Sequence, residues 1–126
     1  MTSETSDGEP AAVDSTVLDN LSRMVGAETS TEIVDLFLSC GPARLTAVRN
    51  GAESGDFESC ADALHSLKSS AGMLGANRLC ELAARMERLS GEGDHDAMAA
   101  LVERLLDAYG EAEILLRARC DRSEGE

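Results

Sequence analysis

The chain has 126 residues and carries 24 acidic against 11 basic side chains, which gives a formal net charge of −13. A nucleic-acid partner and an anionic membrane surface are therefore not expected, because both are bound through clustered lysine and arginine. The length indicates one domain that can bury a core without metal or disulfide bridges. No apolar run approaches the roughly 18 residues of a membrane span, and the acidic start does not resemble a signal peptide, so a cytoplasmic location is expected.

The composition favours helices, since alanine and aliphatic residues dominate, aromatic residues make up 2% of the chain and there are two prolines. The four cysteines form no CxxC pair and are interpreted as free thiols that pack as small hydrophobic residues. The acidic ends, residues 1–12 and 120–126, are expected to be disordered tails around a helical bundle over 13–119.

The first helix is predicted over about 14–25. Asp14 or Ser15 is expected to cap its start, and Gly26 is expected to end it. Its apolar residues recur at helical spacing. They are Val17, Leu18, Leu21, Met24 and Val25.

The second helix is predicted to begin at Thr29, because its spacing to Glu32 has the form of a capping box. The apolar pattern continues to about Asn50 and spans Gly41-Pro42. Proline removes an amide donor and clashes with the preceding turn, so a kinked but continuous helix is expected there.

The third helix is predicted over 57–74, after a turn at 51–55. Asp56 is expected to cap its start, and Gly75 is expected to end it. Its apolar residues have spacings of three and four and should form the buried stripe. They are Phe57, Cys60, Leu64, Leu67, Ala71 and Leu74.

Two more amphipathic helices follow, one capped by Asn77 and one capped by Asp94, with a turn at 90–93 between them. The last is expected to carry apolar residues to Leu115 or Leu116. Four long helices joined by short turns predict an all-α, antiparallel four-helix bundle, with the short first helix covering one end. No segment has the alternating pattern of a strand.

His65 is the residue that points to a function. It lies about 100° around the third helix from Leu64, at the centre of the apolar stripe, so it is expected at the edge of the buried face. Lys68, the only lysine in the chain, lies one turn further on the same surface. Ser69 and Gly72 share that surface, and small residues there would leave room for another molecule to approach.

A partly exposed imidazole beside an ammonium group suits phosphoryl transfer. Imidazole is nucleophilic and can be reprotonated near pH 7, and a nearby positive charge would neutralise the phosphoryl oxygens. The second ring nitrogen needs a partner, for which Glu58, Asp62, Ser69 or a water are candidates. No phosphate-binding glycine loop or magnesium-binding carboxylate cluster is evident, so the chain should not phosphorylate itself. His95, in a polar turn, is given no functional role.

The segment around His65 resembles the motif of histidine-containing phosphotransfer (HPt) domains, roughly His-x-Leu-Lys-Gly-Ser-[Ser/Ala]-x-x-hydrophobic-Gly-Ala. The similarity of helix layout extends over about 13–119. Ser69 departs from the motif, which usually has glycine at that position. The matching residues are His65, Leu67, Lys68, Ser70, Ala71, Leu74, Gly75 and Ala76.

The resemblance implies that His65 is phosphorylated by a receiver-domain aspartate, or by a hybrid histidine kinase, and passes the group to another receiver. Lys68 would stabilise the phosphoryl group. The small residues Ser69, Ser70, Gly72 and Gly75 would serve access and packing. The chain would be a monomeric phosphocarrier with no metal or cofactor of its own, and Mg²⁺ would sit on the receiver.

Two other functions are compatible with the sequence. The chain could dock on a receiver or a kinase and sequester it without carrying phosphate, in which case His65 would be dispensable for binding. It could also be a structural bundle that dimerises through an apolar stripe, in which case His65 would be buried.

Overall fold

Five helices make up the secondary structure of this computed structural model, which describes residues 10–125, with side chains through Asp121. Helices α2 to α5 form a bundle in which each helix packs against two neighbours, and α1 packs on α2 and α3. The all-α fold class and the additional N-terminal helix are as predicted. The five helices are α1 (Ser15–Val25), α2 (Ala27–Ser54), α3 (Phe57–Leu74), α4 (Asn77–Glu92) and α5 (His95–Gly125).

Two-residue connections make successive helices of the bundle antiparallel. Helices α2, α3 and α4 end at Gly55, Gly75 and Gly93, each of which has a positive φ. At Gly75 the φ of 79° belongs to the left-handed region, and a Cβ there would lie 2.7 Å from the carbonyl oxygen of Asp14. Glycine is therefore required both for the turn and for the close approach of the chain before α1.

Helix α2 starts earlier and ends later than predicted. It begins directly after Gly26, so Thr29 lies within the helix and does not cap it. It also continues through the turn expected at 51–55. Gly51 is buried, and a Cβ on it would lie 2.5 Å from Sγ of Cys60. The glycine that suggested a turn thus allows α2 and α3 to pack closely.

The caps of the other helices are partly as predicted. The side chains of Asp14, Asp56 and Asp94 each accept a hydrogen bond from a backbone N–H in the first turn that follows. The N-cap of α4 is Ala76 and not Asn77, and this helix continues through the turn expected at 90–93. Helix α5 extends to Gly125, so the domain boundary predicted at 119 falls inside it. Of the predicted N-terminal tail, residues 1–9 lie outside the described residues.

The predicted apolar stripes form the core. In α3 the whole stripe is buried except Phe57, which is half-buried, and Leu116 is the buried residue of the Leu115–Leu116 pair. The interpretation of α1 was wrong at its end, where Met24 is 79% exposed and Val25 is also exposed, because α1 covers only the end of the bundle. All four cysteines are free, and burial raises the pKa of the Cys60 thiol.

Helix α2 passes through Pro42 because Tyr109 replaces the missing backbone donor. Proline at 42 cannot donate to the carbonyl of Leu38, four residues earlier. The hydroxyl of Tyr109, from α5, donates to that carbonyl oxygen over 3.4 Å. Gly41 makes room for the ring, since a Cβ at this position would lie 2.1 Å from the tyrosine Oη. Burial raises the pKa of Tyr109 to about 12, so the phenol keeps its proton.

None of the helices, over the residues described, is both long enough and apolar enough to cross a membrane.

Replacement of Tyr109 by phenylalanine is expected to lower the free energy of unfolding by about 1 kcal/mol, because the Leu38 carbonyl loses its donor. Urea unfolding followed by helical circular dichroism measures this loss. In a Pro42→Ala background residue 42 regains its N–H, so Tyr109→Phe should cost clearly less. An equal cost in both backgrounds would contradict the compensation.

Candidate functional site

Helix α3 presents His65 to solvent. Leu64 and Leu67 have no exposed surface and therefore fix the rotation of the helix about its axis. His65 lies about 100° from Leu64, and its side chain is 64% exposed. The His65 ring is thus more exposed than its expected position at the edge of the buried face suggested. A structural bundle that dimerises through an apolar stripe was expected to bury His65, and in this structure the residue is not buried.

A carboxylate from α4 binds both His65 and Lys68. Nδ1 of His65 lies 3.2 Å from Oε2 of Glu87, and Nζ of Lys68 lies 2.8 Å from Oε1 of the same residue. Glu87 follows Met86, which is fully buried, so it occupies the rim of the α4 core face. The carboxylate thereby joins the two residues that the sequence had placed together on α3.

Glu87 was not among the ring partners considered from the sequence. Glu58, Asp62 and Ser69 are exposed on α3, and none of the three forms a hydrogen bond with the ring. The spacing of residues in the sequence nevertheless points to Glu87. His65 lies ten residues before Gly75 and Glu87 lies twelve residues after it, so an antiparallel pair that turns at Gly75 brings them level.

The charge on Glu87 determines which ring nitrogen is available. The hydrogen bond from Lys68, and to a smaller extent that from His65, holds the pKa of the Glu87 carboxyl below its ordinary value, against the opposing effect of partial burial. An ionised carboxylate only accepts hydrogen bonds, so Nδ1 of the ring donates. In the neutral ring Nε2 then carries the free lone pair.

The small residues beyond His65 divide into two groups. Ser69 and Gly72 are exposed and Ser70 is half-buried. A Cβ on Gly72 would meet only Sγ of Cys80, at an ordinary 3.5 Å, so packing does not require glycine there. These three residues leave the surface of α3 low beside the imidazole. Gly75, in contrast, is a structural turn residue.

An apolar groove lies next to this surface, between α2 and α3. Its volume is about 380 Å³. Two of its residues are large, apolar and exposed, with Leu36 at 64% and Met73 at 52%. Ser70 belongs both to the groove and to the stretch of small residues, so the two surfaces are continuous. The groove is lined by Ile33, Leu36, Phe37, Cys40, Arg44, Ser70, Met73 and Leu74.

No three histidine, cysteine or acidic side chains come together as a metal-binding group within residues 10–121, the part of the chain whose side chains are described.

Comparison with known proteins gives two matches. A family model described as "Hpt domain" matches residues 32–122, which contain α3, α4 and the whole His65 site. Histidine-containing phosphotransfer protein B (HptB) from Pseudomonas aeruginosa PAO1 superposes with a TM-score of 0.82 at 22% sequence identity, over 88% of this chain and 96% of that chain. At this identity the second match shows the fold. No curated protein sequence matches the chain.

Replacement of Lys68 by methionine is expected to raise the pKa of the Glu87 carboxyl toward its ordinary value, and His65→Gln should raise it less. Carbon-detected NMR of the Glu87 carboxyl measures both. Since the folded pKa lies below the unfolded one, the interaction stabilises the fold at neutral pH and is lost as the pH falls through the folded pKa. A larger effect of His65→Gln would contradict this order.

Proposed function

This chain belongs to the Hpt domain family, and we propose that it carries a phosphoryl group on Nε2 of His65 between receiver-domain aspartates. Proteins with this domain are phosphocarriers that serve histidine phosphotransfer in phosphorelays. The observation that carries the proposal is the contact of Nδ1 of His65 with Glu87, because it directs Nε2, the nitrogen with the free lone pair in the neutral ring, to the exposed side.

In the proposed transfer the Nε2 lone pair attacks the phosphorus of an aspartyl phosphate. The Nε2–P bond forms as the bond from phosphorus to the aspartate oxygen breaks, and the aspartate leaves as a carboxylate. The proton on Nδ1 stays in place, so the imidazole gains positive charge. Glu87, 3.2 Å from Nδ1, is already ionised and would stabilise that charge. The return transfer reverses these steps.

Lys68 is proposed to bind the phosphoryl oxygens. Its ammonium has three donors and is 2.8 Å from Glu87, one helical turn from the imidazole. Electrostatic neutralisation and in-line positioning are the main requirements of phosphoryl transfer. The receiver would supply Mg²⁺. Ser69 and Gly72, both exposed, would allow the receiver's phosphorylation site to approach the ring.

The apolar groove is the proposed docking surface for the receiver. Leu36 and Met73 offer exposed apolar area, and the groove continues into the small residues beside His65. Apolar contacts of this kind supply affinity, while the polar site beside them performs the chemistry. The carrier would act as a monomer, because both surfaces have to be open to the partner.

Incubation with a phosphorylated receiver and Mg²⁺ is expected to label the wild-type protein and His95→Gln, whereas His65→Gln stays unlabelled. His95 is the matched control, since it is exposed at the start of α5 and contacts Phe57. Radiolabel transfer followed on gels measures the outcome. Labelling that survives His65→Gln would refute the proposal.

The second candidate function, docking without phosphate transfer, is favoured by the size and exposure of the same groove. It predicts that His65→Ala binds the receiver as tightly as the wild type and that no transfer occurs with any receiver. Phosphotransfer profiling against purified receivers and hybrid kinases from the same cell separates the two functions.

Replacement of Leu36 by aspartate is expected to weaken receiver binding at least about tenfold, because a charge would have to be buried at the interface. Ile114→Asp is the matched control, since Ile114 is 70% exposed on α5 and does not line the groove. Isothermal titration measures both affinities. Equal weakening by the two variants would show that the receiver binds elsewhere.

A further inference from the structure

Four of the ten arginines in this acidic protein line one groove between α4 and α5. Its volume is about 260 Å³, which is below the roughly 300–1,000 Å³ of sites that bind drug-sized ligands. Glu81 is the acidic residue among the described residues that line it, so positive charge prevails there, although the whole chain has a net charge of −13. The four arginines are Arg78, Arg85, Arg88 and Arg104.

This arginine groove is separate from the His65 site. Arg78 and Arg85 lie nine and two residues before Glu87, which places them about 180° and 200° around α4 from it. Glu87 contacts His65 of α3, so these two arginines lie on the side of α4 away from that contact. A ligand bound in the groove would leave the imidazole open, and the groove has no part in the transfer proposed above.

Arg85 and Arg88 have no carboxylate partner in the part of the chain that the structure describes. Both are exposed and neither forms an ion pair there. Glu81 lies four residues before Arg85 and Glu92 lies four residues after Arg88, yet neither of these helical pairs is formed. Since residues three apart are neighbours on a helix surface, the two positive groups repel, and an anion between them would stabilise both.

Arg78 adds a guanidinium group that is already oriented. Its Nη1 pairs with Glu111 of α5, and this pair holds the side chain at the groove. Nε of Arg78 is buried and has no hydrogen-bond acceptor among residues 10–121. A guanidinium group has five N–H donors, so the pair with Glu111 leaves others for a ligand.

The pair of neighbouring arginines favours a phosphate group over a carboxylate. A carboxylate has two oxygens, and one arginine can engage both of them through two parallel N–H bonds. A phosphate group has three terminal acceptor oxygens, so it can accept from two guanidinium groups at once. Arg85 and Arg88, which are adjacent and have no other described partner, match the second arrangement.

The size of the groove and the charge of the surrounding surface favour a small anion over an acidic protein segment. A protein segment would extend beyond the groove over a chain whose net charge is −13. Exposed charges are largely screened beyond about 8 Å at physiological ionic strength, so a small anion in the groove would interact mainly with the arginines.

We propose that the arginine groove binds a small phosphorylated anion of the pyrophosphate class. One phosphate group would bind between Arg85 and Arg88, and the other would lie along the groove toward Arg78, which is about 10 Å from Arg85 along the axis of α4. Arg104 would add positive charge from α5. Binding would use charge-assisted hydrogen bonds, and no covalent bond would form or break.

The test titrates the full-length protein with inorganic pyrophosphate in the absence of Mg²⁺. Isothermal titration measures the affinity, and ¹⁵N NMR of the arginine Nε–Hε groups locates the site. A Kd of about 1 mM or below is expected, with shifts of the Arg85 and Arg88 signals. Citrate and hexaglutamate, which offer carboxylates on a small anion and on a peptide, should bind at least about tenfold more weakly.

Two double variants remove the same charge inside and outside the groove. Arg85→Gln/Arg88→Gln should weaken pyrophosphate binding at least about tenfold, whereas Arg23→Gln/Arg49→Gln should leave it unchanged. Circular dichroism checks that both variants fold as the wild type does. All four side chains are exposed, so folding is expected to be retained.

Three results would overturn the proposal. One is the absence of shifts at Arg85 and Arg88 with pyrophosphate at about 10 mM, tenfold above the weakest expected Kd. Another is equal weakening by the two double variants, which would show a general effect of charge. The third is hexaglutamate or citrate binding as tightly as pyrophosphate, which would assign the groove to a carboxylate ligand. None of these substitutions touches the His65 site, so phosphotransfer is scored separately.

Discussion

The packing of α3 against α4 is the constraint on which the rest of the structure depends. Leu64 and Leu67 of α3 and Met86 of α4 are fully buried, and together they fix how the two helices are rotated toward each other. The turn at Gly75 fixes their register. With rotation and register set, His65 and Glu87 have to meet on the rim of the shared interface. The geometry of the candidate site is thus a consequence of burying the apolar side chains between α3 and α4.

The Glu87 carboxylate is shared by two groups with different proposed tasks. It accepts from Nδ1 of the imidazole, which favours the neutral tautomer protonated at that nitrogen, and it binds the Lys68 ammonium one turn away. The ammonium keeps the carboxyl pKa low, so the negative charge is present before any phosphate arrives. A preorganised charge of this kind need not be rearranged during transfer. All three groups are partly exposed, which lets a partner reach them and keeps the energetic worth of the ion pair small.

A residue of α5 compensates for the proline inside helix α2. Pro42 should weaken the helix, yet the helix is continuous because Tyr109 donates to the carbonyl that proline leaves without a partner. Continuity matters for the site, since Leu36 precedes this position and Arg44 follows it, and both line the groove next to Ser70. Tyr109 on α5 therefore helps to hold the parts of α2 before and after Pro42 in one continuous helix, and both parts line the proposed docking surface.

The sequence by itself determined the helices, the buried stripe of α3 and the exposure of His65, because helical periodicity is a local property that each segment carries. It also carried the family motif. Tertiary structure decided the partner of His65, since Glu87 is 22 residues away and meets it only through the α3–α4 register. It likewise decided that Gly51 lies inside α2, because only the packed Cys60 shows why a side chain is excluded there. A glycine can mark a turn or a close contact between helices, and several polar residues can cap a helix or pair with a ring. Packing against the neighbouring helix decides which of these applies.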